Sequence, residues 1–226
     1  MSVRILNPTP GSIATHPIEL APIMSDPVVK PDLPLADWLD AAAAKQPTPG
    51  GGSVAAVAGA LAAAMGEMTL NYSVGRKANA PEDDGKLSDL LHRLTRARSL
   101  LLRLCEEDQA AYAAWRATKD LPDDNPDRRA AVFASLDVPA AVMATAAGVL
   151  DLAVEAAPIA NPWLLSDLLV CGDLATAAVR CASYNVAANL DGVEDADARR
   201  TTSHQTLERA VRQVQTLQAA VSTRQA

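Results

Sequence analysis

Asp108 interrupts an apolar stripe. Counted at about 100° per residue from Leu87 along the amphipathic segment 84–118, the stripe runs through Leu90, Leu91, Leu94, Ala97, Leu101, Leu104 and Cys105, and Asp108 falls inside it. Tyr112 follows one turn on and Trp115 two turns on, so a carboxylate, a phenol and an indole share one face. Carboxylates are seldom buried unless paired or employed, and burial moves the pKa up toward the range where the group takes and returns a proton. General acid–base chemistry is the reading this favours. The plainer alternative puts Asp108 at the edge of the stripe against an arginine, with Glu106 and Glu107 solvated.

Two other constellations could serve such a group. Asp167 and Asn185 stand eighteen residues apart in the segment 162–190, five whole helical turns, and therefore share a face with Leu174, Ala178 and Cys181 between them. Asn189 lies one turn beyond Asn185, and asparagine inside an alanine-rich helix needs hydrogen-bond partners if buried. Ser166-Asp167 near the segment start could equally be capping residues, whereas Asp173 and Arg180 read as ordinary solvent-facing charges. The run Pro47-Thr48-Pro49-Gly50-Gly51-Gly52-Ser53 stands directly before a long helix. Its glycines permit close backbone approach, and Ser53 has the side chain of an N-cap. At the far end of that helix come Asn71-Tyr72-Ser73-Val74-Gly75-Arg76-Lys77, where a glycine and two cations also suit a simple helix C-terminus.

The elements that must position these residues are helical. Amphipathic segments at 35–46, 53–77, 84–118, 127–136, 139–157, 162–190 and 196–222 predict seven helices and no strand. Pro47–Gly52, Ala80-Pro81, Leu121–Pro126, Ala157-Pro158 and Asp191-Gly192 mark the breaks, and Pro126 and Pro162 suit the first turn of the helix that follows. Long helices with short connections give an all-α, up-and-down bundle, with a homodimer as the default assembly. Seven of the fifteen prolines fall between Pro8 and Pro34, so residues 1–34 read as an arm, flexible or laid over a partner, ahead of a helical domain at 35–226.

Composition limits the partners. The 226 residues are 49% hydrophobic and only 3% aromatic, which suits one closely packed helical domain. A net charge of -7 and a pI near 4.9 argue against nucleic acid or an anionic membrane as partner. The apolar run Val54–Leu70 is Ala- and Gly-rich and is cut by Glu67, unlike a lone membrane span. Cys105, Cys171 and Cys181 show no C-x-x-C spacing and read as buried thiols in a reducing cytoplasm. His16, His92 and His204 lie far apart without metal-ligand spacing, so no metal is expected, and no G-x-S-x-G elbow supports a hydrolase triad.

Taken in order, these motifs resemble one family. Pro47–Ser53 with its alanine-rich helix, Asn71–Lys77, Asp108 with Ala111-Tyr112, Val138-Pro139, Asn161 with Ser166-Asp167, and Asn185-Val186 with Asn189 are similar to the cyclodeaminase/cyclohydrolase family of one-carbon folate enzymes. The resemblance spans about residues 35–222, with Ala78-Asn79 and Ala160 departing from the family's pattern. It implies an all-helical homodimer and a tetrahydrofolate derivative as substrate, with no further cofactor. It also implies either hydrolysis of 5,10-methenyltetrahydrofolate to 10-formyltetrahydrofolate or cyclodeamination of 5-formiminotetrahydrofolate with release of ammonia. On that reading Asp108 is the general base and Asp167 a second carboxylate for the pterin. Asn71, Asn185 and Asn189 orient water or the pterin edge, and Tyr112, Asn161 and Ser166 are further substrate-binding residues. Gly50, Gly51, Gly52 and Ser53 form a wall, and Arg76 and Lys77 meet the glutamate tail. A non-catalytic helical scaffold or folate-binding protein explains the bundle equally well, and a different reaction on a related cationic heterocycle also stays open.

Overall fold

Small residues set the centre of the molecule. The computed structural model describes residues 30, 33–190 and 193–225, so most of the arm at 1–34, with His16, and the Asp191-Gly192 break lie outside the described residues. Among those described there are six α-helices and no strand: α1 (Leu35–Ala43), α2 (Gly51–Asn71), α3 (Pro81–Thr118), α4 (Pro126–Ala156), α5 (Leu165–Ala188) and α6 (Ala196–Gln225), with one 3-10 turn at Pro162–Leu164.

Helix α2 buries Ala55, Ala56, Gly59, Ala60, Ala62, Ala63 and Gly66 against α3, α4 and α5. With so little bulk, side chains of the neighbouring helices press on the α2 backbone: a methyl at Gly66 would lie 3.0 Å from a Leu94 methyl and 3.2 Å from the Cys171 sulfur. Long side chains from the neighbours fill the remaining space. Leu70, Leu87, Leu94, Leu101, Leu150, Leu165 and Leu168 are fully buried, each contributing about 1.5–3 kcal/mol of burial free energy. The charge that cuts the apolar run is neutralised in place, because the Glu67 carboxylate accepts from Arg98 Nε at 2.6 Å and from the Thr95 hydroxyl at 3.0 Å. By length and composition α2 and α4 are long and apolar enough to cross a membrane, and both pack within the bundle.

Four expectations are corrected. The segments 127–136 and 139–157 form one helix, α4, which runs through Pro139, so the seven helices become six. A proline donates no N–H and crowds the carbonyl four residues back, here Ser135, yet the helix continues because that carbonyl finds another donor. Ser53 does not cap α2: Gly50 holds the N-cap position and Ser53, fully buried, lies inside the first turn. Ser166 and Asp167 likewise lie inside the first turn of α5, behind Leu164, and make no cap hydrogen bond. Cys181 is exposed, whereas Cys105 and Cys171 are buried as expected.

Other local readings hold. Pro126 and Pro162 occupy first turns, and the Asn125 side chain accepts from the N–H groups of Asp127 and Arg128. Helix α2 stops at Asn71, short of the expected 77, and Gly75 takes φ 73°, a left-handed conformation that suits glycine. No other kind of residue has positive φ among those described, so Ala160 is accommodated without strain. The carbonyls of Ala157 and Ala160, at the end of α4, accept from the guanidinium of Arg224 on α6 at 2.6 and 2.9 Å.

Candidate active site

A cavity of about 280 Å³ opens where the start of α2 meets the second half of α3, the proline turn of α4 and the end of α5. Gly50, Gly51 and Gly52 form one wall, Asp108, Tyr112 and Trp115 a second, and Ser135, Pro139, Asn185 and Asn189 the rest. Thr48, joined to Pro49 by a cis peptide, closes the approach to α2.

Asp108 is built in from the glycine side. A Cβ on Gly52 would stand 2.0 Å from Asp108 Oδ1, so the carboxylate occupies space that only glycine leaves. The Ser53 hydroxyl donates to Oδ2 at 2.7 Å, and the Ser53 N–H at the helix start donates to the same carboxylate. Burial pushes the Asp108 pKa up, and the two Ser53 hydrogen bonds pull it partly back by favouring the charged form. The hydrogen-bond partner of Asp108 is a serine. One turn earlier, burial and then the Asp108 charge push the Cys105 thiol up to about 12, which leaves it protonated and unreactive at neutral pH.

Ser53→Ala tests this balance. Removing a hydrogen bond to the charged form raises the Asp108 pKa further, so the acidic limb of kcat/KM against pH moves to higher pH. An unmoved limb would show that Asp108 is not the titrating base.

The two asparagines are held by the same end of their amides. Asn185 Nδ2 donates to the Cys181 carbonyl at 3.0 Å, and Asn189 Nδ2 donates to the Ser135 carbonyl at 2.7 Å. A carbonyl only accepts, so each nitrogen is fixed at its backbone partner and each Oδ1 is left on the other side. Asn185 Oδ1 would touch a Cβ on Gly51 at 3.3 Å. The Asp108 carboxylate with these two amide oxygens offers acceptors to a cationic or N–H-bearing ligand, while the first N–H groups of α2 at Gly51 and Gly52 are donors on the glycine wall. Tyr112 and Trp115, ring centroids 5.9 Å apart and both partly exposed, offer an aromatic wall at its mouth.

The sequence-derived residues fall into two groups. Gly50, Gly51, Gly52, Asp108, Tyr112, Asn185 and Asn189 meet in the cavity, with Ser53 bonded to Asp108. Asn71, Arg76, Lys77, Asn161, Ser166 and Asp167 belong to the opposite end of α2 and α5, about 30 Å away at 1.5 Å per residue over the 21 residues of α2. That end has its own organisation. Asn161 N–H donates to Ser73 Oγ at 2.9 Å, its side chain donates to the Tyr72 carbonyl at 3.2 Å, and Ser73 Oγ donates to the Thr69 carbonyl at 2.6 Å. Asn79 ties the following loop, donating to the Ser73 carbonyl and to Asp84. Pro47, Thr48, Ala111, Trp115, Ser135 and Pro139 line the cavity as well, beyond the contacts expected from sequence. The i+7 spacing of Trp115 from Asp108 is a sequence signal for its place, whereas Ser135 has none. Among the described residues no group of three or more His, Cys, Asp or Glu is placed to hold a metal ion.

Comparisons with known proteins bear on the family and the fold. A family model described as formiminotransferase-cyclodeaminase matches residues 34–208. Methenyltetrahydrofolate cyclohydrolase of Methylorubrum extorquens is 32% identical over 166 residues, covering 70% of this chain and 79% of that protein. Formimidoyltransferase-cyclodeaminase of Sus scrofa is 30% identical over 196 residues, which cover 83% of this chain but only 36% of the larger protein. The crystal structure of formiminotetrahydrofolate cyclodeaminase from Thermotoga maritima superposes with a TM-score of 0.74 at 25% identity, covering 85% of this chain and 96% of that one. With a family model matched over most of its length and these likenesses in sequence and fold, the chain belongs to the formiminotransferase-cyclodeaminase family.

Proposed function

We propose that this protein hydrolyses 5,10-methenyltetrahydrofolate to 10-formyltetrahydrofolate. The observation that carries the reading is the half-buried Asp108 carboxylate, held by Ser53 at the wall of a cavity that Asn185 and Asn189 also line. The substrate is an amidinium cation across N5 and N10, so the carboxylate favours it electrostatically as well as chemically. Water adds to the bridging carbon while Asp108 takes a water proton. The tetrahedral adduct then collapses to the formyl group on N10, the C–N5 bond breaks, and N5 is protonated by the acid form of Asp108. The adduct's hydroxyl proton is released to solvent, so the balance is cation plus water giving neutral product plus one proton. Asn185 and Asn189 orient the water or the pterin N–H groups.

Cyclodeamination of 5-formiminotetrahydrofolate uses the same groups, with N10 attacking the formimino carbon and ammonia leaving after protonation. The cyclodeaminase structure from Thermotoga maritima, of which this chain covers 96%, favours that second reading. The cyclohydrolase of Methylorubrum extorquens, of which it covers 79%, favours the first, whereas it spans about a third of the Sus scrofa protein.

A homodimer accounts for the two separated groups. Val170, Ala177 and Tyr184 recur every seven residues as an exposed stripe on α5. A twofold axis through Ala177 would pair α5 with its copy in antiparallel fashion, laying the partner subunit's Asp167 beside this chain's Asn185 and Asn189. The partner subunit's Arg76 and Lys77 then supply cations for the glutamate tail in an otherwise acidic protein. A cavity of about 280 Å³ is small for a whole folate, which is consistent with a site completed by a second chain. The free thiols suit a reducing cytoplasm.

Purified protein, run as a dimer in sedimentation, is expected to remove the absorbance of 5,10-methenyltetrahydrofolate. A parallel run with 5-formiminotetrahydrofolate would instead show that absorbance growing if cyclodeamination is the reaction. Neither turnover nor folate binding would remove the folate reading and favour the scaffold, and a monomer in sedimentation would remove the shared site.

A further inference from the structure

Pro139 does something specific inside α4. A residue with an N–H at 139 would donate to the Ser135 carbonyl, four residues back, and complete the helical ladder. Proline has no such N–H, so the Ser135 carbonyl is released from its helical partner at the cavity wall, where Ser135 and Pro139 both line the opening. Asn189, the C-cap residue of α5, fills the gap: its Nδ2 donates to that carbonyl at 2.7 Å. A hydrogen bond missing in one helix is thus replaced by one that ties it to another, fifty-four residues further along the chain.

We propose that Pro139 is a positioning residue, which withholds its backbone donor so that the Ser135 carbonyl captures the Asn189 amide nitrogen and turns Asn189 Oδ1 toward the bound substrate. The ligand group that Oδ1 receives is an N–H or the attacking water, both donors. Without the proline, the 139 N–H would compete for the carbonyl within the helix, and the exposed Asn189 side chain would lose the bond that fixes it. The proposal rests on the folate reading for its activity assay and on nothing else in that reading.

Pro139→Ala restores a helical hydrogen bond and replaces a poor helix former by the best one, so its melting temperature is expected to equal or exceed that of the unaltered protein. Its kcat/KM is expected to fall about tenfold, the worth of one positioned hydrogen bond, and Asn189→Ala to fall by a similar factor. In the double variant the losses should not multiply, because the proline acts through the asparagine. Nitrogen-15 spectra of the ligand-free protein give a second readout: the Asn189 side-chain amide should show one proton protected from exchange, and that protection should vanish in Pro139→Ala. Retained kcat/KM, multiplying losses, or a Pro139→Ala chain that fails to fold would each overturn the proposal. If the unaltered protein turns over neither folate, the folate reading fails, and the amide spectra alone decide the role of Pro139.

Discussion

Asp108→Asn should yield a folded protein that still binds the folate but turns it over about a hundredfold more slowly or worse, the usual worth of a general base. The asparagine keeps the shape of the carboxylate and an oxygen that accepts from Ser53, so the loss is chemical and not structural. The same variant should be more stable at neutral pH. The Asp108 pKa is raised in the folded protein, so its favourable contribution is complete below the unfolded value and is lost as pH rises through the folded one. At pH 7 the unaltered protein therefore carries the cost of a desolvated charge that asparagine does not. The melting advantage of Asp108→Asn should shrink as the pH falls below the ordinary carboxylate range. Full retained turnover removes Asp108 from the mechanism, and a lower melting temperature at pH 7 removes the assigned burial cost.

Gly52→Ala should be as damaging to turnover as the loss of Asp108 itself. A methyl placed 2.0 Å from Asp108 Oδ1 cannot coexist with the carboxylate, which must swing away from Ser53 or push α2 from α3. Alanine is the better helix former by about 1 kcal/mol, so helix propensity works against the loss and cannot cause it. Gly51→Ala is the control. Its methyl would meet Asn185 Oδ1 at 3.3 Å, where a shift of a few tenths of an ångström suffices, and its effect on turnover should be small beside that of Gly52→Ala. Equal activities for the two variants would show that the Gly52–Asp108 interlock does not organise the site.

Much of this was legible in the chain, for identifiable reasons. Asp108 stood out because a 3.6-residue period makes one wrong residue in a long stripe visible, and α3 is long enough, at 38 residues, to make the stripe unambiguous. The Gly50–Gly52 run announced a close approach but not what approaches; a carboxylate from another helix leaves no mark on local sequence. Ser53 looked like a cap because serine before an apolar run usually is one, yet here the same hydroxyl serves a partner fifty-five residues away. Pro139 stands at the start of the expected segment 139–157, where a proline is well tolerated, and the donor that lets α4 run through it comes from a helix no local window contains. Asp167 and Asn185 share a face, as their spacing says, but angular phase carries no information about axial distance. That is why one group of candidates met in the cavity and the other stayed at the far end.

The alanine and glycine face of α2 makes that helix a calliper. Leucine-filled interfaces absorb a disturbance by hopping rotamers, but Ala55, Ala56, Ala60, Ala62 and Ala63 have no rotamers to change. Its own side contributes only backbone and methyl groups to the seat, against Leu94 and Leu101 of α3, so any adjustment must come from the neighbours and its two tips move together. The jaw holding Asp108 and the tip holding Asn71 are thereby gauged by the same rod. A change that lengthens or tilts it would displace both ends together, and no local adjustment at either could restore only one.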